Sequence, residues 1–258
     1  MKEKIDLKKY SSIKIGPVVD VEIITEIDKK NETFFLIGGA NNILVSPYPP
    51  PLAKLSKKFD YIKIENGELI IGGATPTGKV VSFCKKNNIA GFEFLSRLPG
   101  TIGGAIKMNA GVKEYEIKNV LKWIKTYKGK IYKENLNFGY RKTDIKNIIY
   151  EAGFELKEGY NEILRQKLLS LRENQPKEPS AGSVFKNPPG NFAGKLIEDV
   201  GLKGYRVGDM AFSKIHANFL VNLGAGTFEE ALNLIELAKK MVYEKYKIAL
   251  EEEIIIVK

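Results

Sequence analysis

The sequence predicts an α+β fold with more than one domain. Three observations lead there. Strand-like runs (YIKI, ELIIG, VLKWIKTY, KIY and NIIYEAGFEL) crowd the middle of the chain, and segments with helical spacing dominate the later part. Between the first strands and this middle region lies PYPPPLAK (47–54), a proline-stiffened connector that reads as a domain boundary.

The elements follow in order. VDVEIIT and TFFLIG are strands separated by the polar EIDKKNE, a small α/β start. YIKI and ELIIG flank the turn ENG, after which Thr75 and Pro76 suit the N-cap and first position of a helix running through Cys84. NEILRQKLLSLREN carries Leu164, Leu168 and Leu171 at helical spacing, and NFAGKLIEDVG carries Ala193, Leu196, Ile197 and Val200 before a stopping Gly201. NFLVNL is a strand, and Thr227 with Glu230 forms a capping box for a helix bearing Ala231, Leu234, Ile235, Ala238, Met241 and Val242. In a terminal strand EEEIIIV, period-2 alternation puts Glu251, Glu253, Ile255 and Val257 on one face.

Composition narrows the function. With 258 residues, 43% hydrophobic, 28% charged and 10% aromatic, the chain belongs with soluble globular proteins that fold unaided. The charged N-terminus lacks a signal-peptide core, and no segment approaches the ~18 apolar residues of a membrane span, so a cytoplasmic protein without a membrane partner is expected. Forty-one Lys and Arg against thirty-one Asp and Glu leave a net charge of +10, which favours anionic partners. The basic residues are scattered among acids, which places small anions ahead of nucleic acid. One cysteine, Cys84, and one histidine, His216, exclude an internal disulfide and the usual multi-Cys or His-rich metal sites, so no metal is expected. Cys84 reads as a buried helical residue.

Two glycine-rich stretches stand out, and a third fails. NFLVNLGAGTFEE imitates the start of a dinucleotide fingerprint at Gly224 and Gly226, but Glu229 occupies the third glycine's place, where a carboxylate would repel a pyrophosphate. Helix capping is the better reading. IGGANNIL (37–44) follows a strand and reads equally as a tight turn or as an anion-binding concavity of backbone N–H groups. In GFEFLSRLPGTIGGAIKMNAGV (91–112), glycines sit among apolar residues, which implies close approach of the backbone to a flat ligand or to another part of the core. Two such loops, separated by strands, suit a bulky phosphorylated cofactor.

These residues carry a resemblance. IGGANNIL, GFEFLSRLPGTIGGAIKMNAG, FGYRKT (138–143), PSAGSVFKNP (179–188), AGKLIEDVGLKGYRVGDMAFSKIHANFLVN (193–222) and the terminal LEEEIIIV resemble, in order, the motifs of the UDP-N-acetylenolpyruvoylglucosamine reductases. The likeness spans nearly the whole chain. It departs from the family at YSSIKIG and at GGAN, and the region 155–180 is too short for the tyrosine-bearing loop of some members.

The resemblance implies an FAD-binding fold of the vanillyl-alcohol oxidase (PCMH) type in two subdomains, 1–52 joined by 247–258 and 53–165, plus a small α/β substrate-binding domain, 166–246. It implies that NADPH reduces FAD, which then reduces the enolpyruvyl group of a UDP-sugar, with no obligate protein partner. Carried over, Gly38, Gly39, Ala40, Asn41 and Asn42, with Gly100, Thr101, Gly103, Gly104, Asn109, Ala110 and Gly111, would hold FAD. Arg141 would grip the substrate carboxylate, Ser183 would protonate carbon, and Glu253 would share or donate a proton to the enolate from a partly desolvated strand. Lys186 and Asn187 would hold the substrate's diphosphate or sugar.

Two other classes compete. Ser183 as a hydrolase nucleophile would need His216 as its base, yet AGSVF lacks the exposed-serine elbow of hydrolases. A catalytically inactive basic protein that binds a nucleotide-sugar or nucleic acid is the other; it would stay colourless when offered FAD.

Overall fold

A five-stranded antiparallel sheet organises the middle of the chain in the computed structural model, which describes residues Met1–Lys258. Its order is Gly129–Tyr132, Leu121–Thr126, Glu151–Glu155, Glu68–Gly72 and Ile62–Glu65. Along Leu121–Thr126 the burial reads buried, exposed, buried, buried, exposed, buried. Trp123 and Ile124 pair regularly with Gly153 and Ala152 and so face opposite sides of the sheet, and both sides are covered there: Ile124 joins the apolar core, and Lys130 Nζ lies 4.0 Å over the Trp123 ring.

Gly153 lies opposite Trp123 in this sheet, and a Cβ there would fall 2.1 Å from Trp123 Cε2. The indole is also fixed by its Nε1–H, which donates to Glu68 Oε2 at 2.8 Å. Gly153→Ala should therefore destabilise the protein by about 1–3 kcal/mol, the usual cost of overpacking. Urea unfolding reads this; an unchanged midpoint would mean that Trp123 swings aside at no cost.

The chain divides into two compact units, and the first comprises residues 1–3, 21–39 and 51–173. Beside the antiparallel sheet it contains most of a four-stranded sheet ordered Lys2–Asp6, Val18–Ile24, Leu52–Leu55, Phe35–Leu36, in which Leu52–Leu55 pairs in parallel with both neighbours. TFFLIG shrinks to Phe35–Leu36, because a 3-10 turn over Lys29–Thr33, capped by Asp28 on the Lys30 amide, occupies the approach. Helix Thr77–Lys86 packs Val80, Val81 and Cys84 against Leu69 and Ile71.

That helix begins one residue later than expected, at Thr77 rather than Pro76, with Pro76 rather than Thr75 in the N-cap place. Thr75 is fully buried, and its Oγ1 accepts from the Tyr61 amide at 3.1 Å and donates to the Tyr61 carbonyl at 3.0 Å, so it ties down a strand end. Pro76 takes the N-cap place without a side-chain bond. Cys84 is buried as expected, and desolvation, reinforced by the nearby Glu93 charge, pushes its thiol up to about 12. Helix Glu162–Ser170 buries only Leu168; Leu171 falls beyond its end and is exposed.

The second unit comprises residues 4–20, 40–50 and 174–258. Its antiparallel sheet runs Ser180–Ser183, Phe219–Asn222, Met210–Phe212, Arg206–Val207. Helix Phe228–Tyr246 starts on the complete Thr227–Glu230 capping box and buries Ala231, Leu234, Ile235, Ala238 and Val242. The amides of Gly224 and Gly226 both donate to Asn222 Oδ1 at 3.0 Å, and a Cβ on Gly226 would meet Met210 Sδ at 2.4 Å. This is a packed turn whose N–H groups are spent internally, in agreement with the capping reading.

The chain's end departs from the alternation read in EEEIIIV. Only Ile255–Val257 forms a strand, parallel to Ile43–Val45, while Glu252 makes a single bridge to Phe185. The Val184 carbonyl accepts from the amides of both Glu253 (2.7 Å) and Ile254 (3.2 Å), which bends the chain between bridge and strand. Ile254 is buried and Ile255 exposed, and the bend sets Glu253 outside the strand in which Ile255 and Val257 alternate.

Candidate active site

In the second unit, Ser183 closes strand Ser180–Ser183 opposite Phe219, just after a register irregularity that Gly182 accommodates with φ +83°. Beyond it the main chain is braced by Asn218, a buried residue whose carbonyl accepts from the Val184 amide (2.8 Å). The Asn218 side chain accepts from the Phe185 amide (3.0 Å) and donates to the Phe185 carbonyl (2.7 Å). Two opposed bonds from one amide hold a strand as a neighbouring strand would.

The C-terminal segment lies along the other edge of the same residues. The Glu253 amide reaches Val184, and the Lys186 amide donates to the Glu251 carbonyl at 2.9 Å. The backbone of Glu253 is thus hydrogen-bonded to Val184, the residue next to Ser183, and Ser183 and Glu253 are both half-buried. Asn42 joins them: its Nδ2 donates to the Glu253 carbonyl at 2.9 Å, and its own carbonyl accepts from the Ile255 amide at 3.0 Å. Ala40, buried at φ +50°, accepts from the Ser12 amide at 3.2 Å, and the Asn41 carbonyl accepts from Ser12 Oγ at 3.4 Å.

Lys186 and Asn187 have partners inside this unit. Lys186 Nζ pairs with the Glu251 carboxylate. Asn187 Oδ1 accepts from the Ala193 amide at 3.0 Å, so it caps helix Ala193–Asp199, whose N-cap residue Phe192 has no capping side chain. His216 is committed to packing. Its Nδ1 accepts from the Asn218 amide at 3.3 Å, its ring stands edge-on to Phe219 at 5.1 Å, and burial holds its pKa below the usual histidine value. A nucleophilic triad on Ser183 gains no support from that arrangement.

In the first unit, Gly38 (φ +50°) and half-buried Gly39 end the first glycine loop's share; a Cβ on Gly38 would lie 3.4 Å from Thr101 Oγ1. Gly100, at φ +131°, gives its carbonyl to the Thr77 amide, and Thr101 Oγ1 accepts from the Gly104 amide at 3.4 Å. The run read as glycine-rich loop becomes a short helix, Ile102–Lys107. Gly103 approaches the core, since a Cβ there would lie 3.1 Å from the Gly73 carbonyl oxygen, whereas Gly104 is exposed. The Ala110 amide closes back on Ala105 (2.8 Å), and Gly111 is so close to the Tyr115 carbonyl that a Cβ would fall 2.3 Å from it. Asn109 is fully buried: Nδ2 donates to the Gly139 carbonyl at 3.0 Å, which sets the amide's orientation, and Oδ1 has no protein donor.

Arg141 occupies the tip of a hairpin in which Phe138 pairs with Thr143 and Gly139 with Lys142. Its φ is +53°, a left-handed conformation that costs a residue with a Cβ about 1–2 kcal/mol. The surroundings hold it there. Nη2 donates to the Gly111 carbonyl at 2.8 Å, Nη1 lies 4.0 Å from Glu116 Oε1, and the guanidinium sits 5.1 Å over the Tyr140 ring. Arg172 is close enough to Arg141 and Arg97 that, after burial, their charges lower its pKa further. Such clustering of guanidinium groups favours an anion.

Glu116, Tyr140, Lys107 and Asn218 escaped the sequence reading. Each acts on a residue remote in sequence, so no local spacing marks it. The resemblance to family motifs, by contrast, nominates Arg141 as a candidate, which by composition alone is one basic residue among many.

Known proteins agree with this architecture. The UDP-N-acetylenolpyruvoylglucosamine reductase C-terminal domain model matches residues 175–257. Reductases of that name from Helicobacter hepaticus, 49% identical over 97% of both chains, and from Campylobacter jejuni, 46% identical over 98% of this chain and 99% of the relative, align almost end to end. The crystal structure of the Thermus caldophilus reductase superposes with a TM-score of 0.86 at 31% identity, covering 100% of this chain and 99% of that one. The fold is therefore the FAD-binding type expected from the sequence. At this identity over nearly its whole length, the chain belongs to the UDP-N-acetylenolpyruvoylglucosamine reductase family, enzymes of the UDP-N-acetylmuramate dehydrogenase class.

Proposed function

We propose that the protein is a cytoplasmic, FAD-dependent reductase that uses NADPH to convert UDP-N-acetylglucosamine enolpyruvate to UDP-N-acetylmuramate, a step in peptidoglycan precursor synthesis. The observation that carries this reading is the junction at Val184, where the serine and the glutamate that the chemistry needs lie on adjoining backbone. No helix is long and apolar enough to cross a membrane.

The residues fit a bound flavin nucleotide. Asn109 Oδ1 is a fully buried acceptor with no donor in the protein, an arrangement that is costly unless a ligand N–H or O–H completes it. Gly38 stands at φ +50° and faces Thr101, whose Oγ1 would lie in ordinary contact, 3.4 Å, with a Cβ there. Gly38–Asn42 and Gly100–Gly111 would hold the cofactor. A bound flavin would supply the hydride chemistry for the enolpyruvyl double bond, with NADPH as its reductant.

The protein's part is binding, orientation and proton movement. Arg141 presents a planar fork that matches the substrate carboxylate and draws charge toward it. The Ser183 hydroxyl delivers a proton to carbon in a site shielded from water, and Glu253 shares or donates a proton to the developing enolate. Lys186 and Asn187 stand beside Ser183 in the sequence, where the former can exchange Glu251 for a phosphate.

The test is an absorption spectrum. Protein reconstituted with FAD should be yellow, bleach under anaerobic NADPH, and regain its colour when the enolpyruvyl sugar is added. Protein that remains colourless and does not oxidise NADPH would defeat the reading.

A further inference from the structure

Lys107 is the last residue of helix Ile102–Lys107, immediately before the turn that contains Asn109 and Gly111. Its ammonium donates to two consecutive carbonyls, Ile145 at 2.7 Å and Lys146 at 2.8 Å, and its own carbonyl accepts from Thr143 Oγ1 at 3.0 Å. All three partners belong to the strand that leaves the Arg141 hairpin and its continuation. A two-residue strand pair is not stable alone in water. This one also carries a left-handed arginine at its tip, so something outside the hairpin must hold it.

On the incoming strand the Gly139 carbonyl is held by Asn109. On the outgoing side, where Ile145 is buried in the apolar core, Lys107 makes three bonds, two from its ammonium and one through its main-chain carbonyl. Keeping the ammonium there is costly: burial draws its pKa down to about 8, against the opposing charge of Glu32. A neutral side chain could fill the same space without that desolvation. The cost makes sense if the two carbonyls must be fixed.

Resting on the proposed role of Arg141, we infer that Lys107 is a positioning residue for the substrate-binding arginine, clamping residues 143–146 to the end of the helix so that the hairpin presents Arg141 in one orientation. It touches neither substrate nor reacting atoms. Its effect passes through the backbone.

The experiment compares the full chain with Lys107→Met, which keeps the aliphatic stem and removes the donors, and Lys107→Arg, which restores donors to both carbonyls. In the ligand-free protein, amide hydrogen exchange should rise at least tenfold in peptides covering 138–146 of Lys107→Met, with the five-stranded sheet protected as before. With the FAD-loaded enzyme, the enolpyruvyl substrate's KM should rise and kcat fall, together costing about 10- to 100-fold in kcat/KM, the scale of a small misplacement of a reacting group. Lys107→Arg should recover most of both. Wild-type exchange and kinetics in Lys107→Met would overturn the assignment, as would loss of protection throughout the first unit, which marks a general stabiliser. If wild-type protein neither binds FAD nor reduces the sugar, the functional reading fails, while the exchange measurement still decides whether Lys107 holds the hairpin.

Discussion

Ser183→Ala should slow reoxidation of the reduced flavin by the enolpyruvyl sugar by roughly 10²- to 10⁴-fold, the range expected for losing a positioned proton donor. Flavin reduction by NADPH should continue, because that half of the cycle asks nothing of the Ser183 hydroxyl. The substitution is mild for the fold. Ser183 is half-buried, and its segment is positioned by main-chain bonds and the Asn218 side chain, none of which uses Ser183 Oγ. Anaerobic stopped-flow separates the two half-reactions; equal reoxidation rates in mutant and wild type would remove Ser183 from the mechanism.

A second large effect is expected at Arg141. Arg141→Lys keeps the charge but replaces a rigid fork of donors with a point charge, and should cost about 10²- to 10³-fold in kcat/KM for the enolpyruvyl substrate, the scale of losing one transition-state donor. The unfolding midpoint should move little. Lysine and arginine bear the same penalty at φ +53°, and the bond to the Gly111 carbonyl is one partly buried contact of about 1 kcal/mol. Steady-state kinetics and urea unfolding of the same preparations decide it. Wild-type kcat/KM in Arg141→Lys would show that the fork is not needed and that charge alone suffices.

Local pattern served the regular elements well. The capping box at Thr227 and the apolar stripe of the last helix appear where spacing placed them, because a long amphipathic helix is specified by its own repeat. Pattern served less well where one distant group intervened. Thr75 has the chemistry of an N-cap, yet its hydroxyl is taken by Tyr61, and the helix starts at Thr77 instead. The alternation in EEEIIIV is overridden by one carbonyl, that of Val184, which accepts two successive amides and bends the chain.

The site divides along the same line. Motif order along the sequence was enough to name the family and, through that resemblance, to nominate Ser183, Arg141 and Glu253 as candidates, since a motif is a run of neighbouring residues. The sequence by itself also excluded disulfides, through its single cysteine, and a dinucleotide fingerprint at Gly224, through Glu229. Only the tertiary structure decided that Glu253 lies beside Val184, that Asn218 supplies the missing strand partner, that Arg141 stands at φ +53°, and that Lys107 holds its hairpin. The reason is physical. Helical and strand repeats are short-range periodicities written in adjacent residues, whereas a buried carbonyl takes whichever donor the fold brings within 3 Å, and nothing local in the sequence says which.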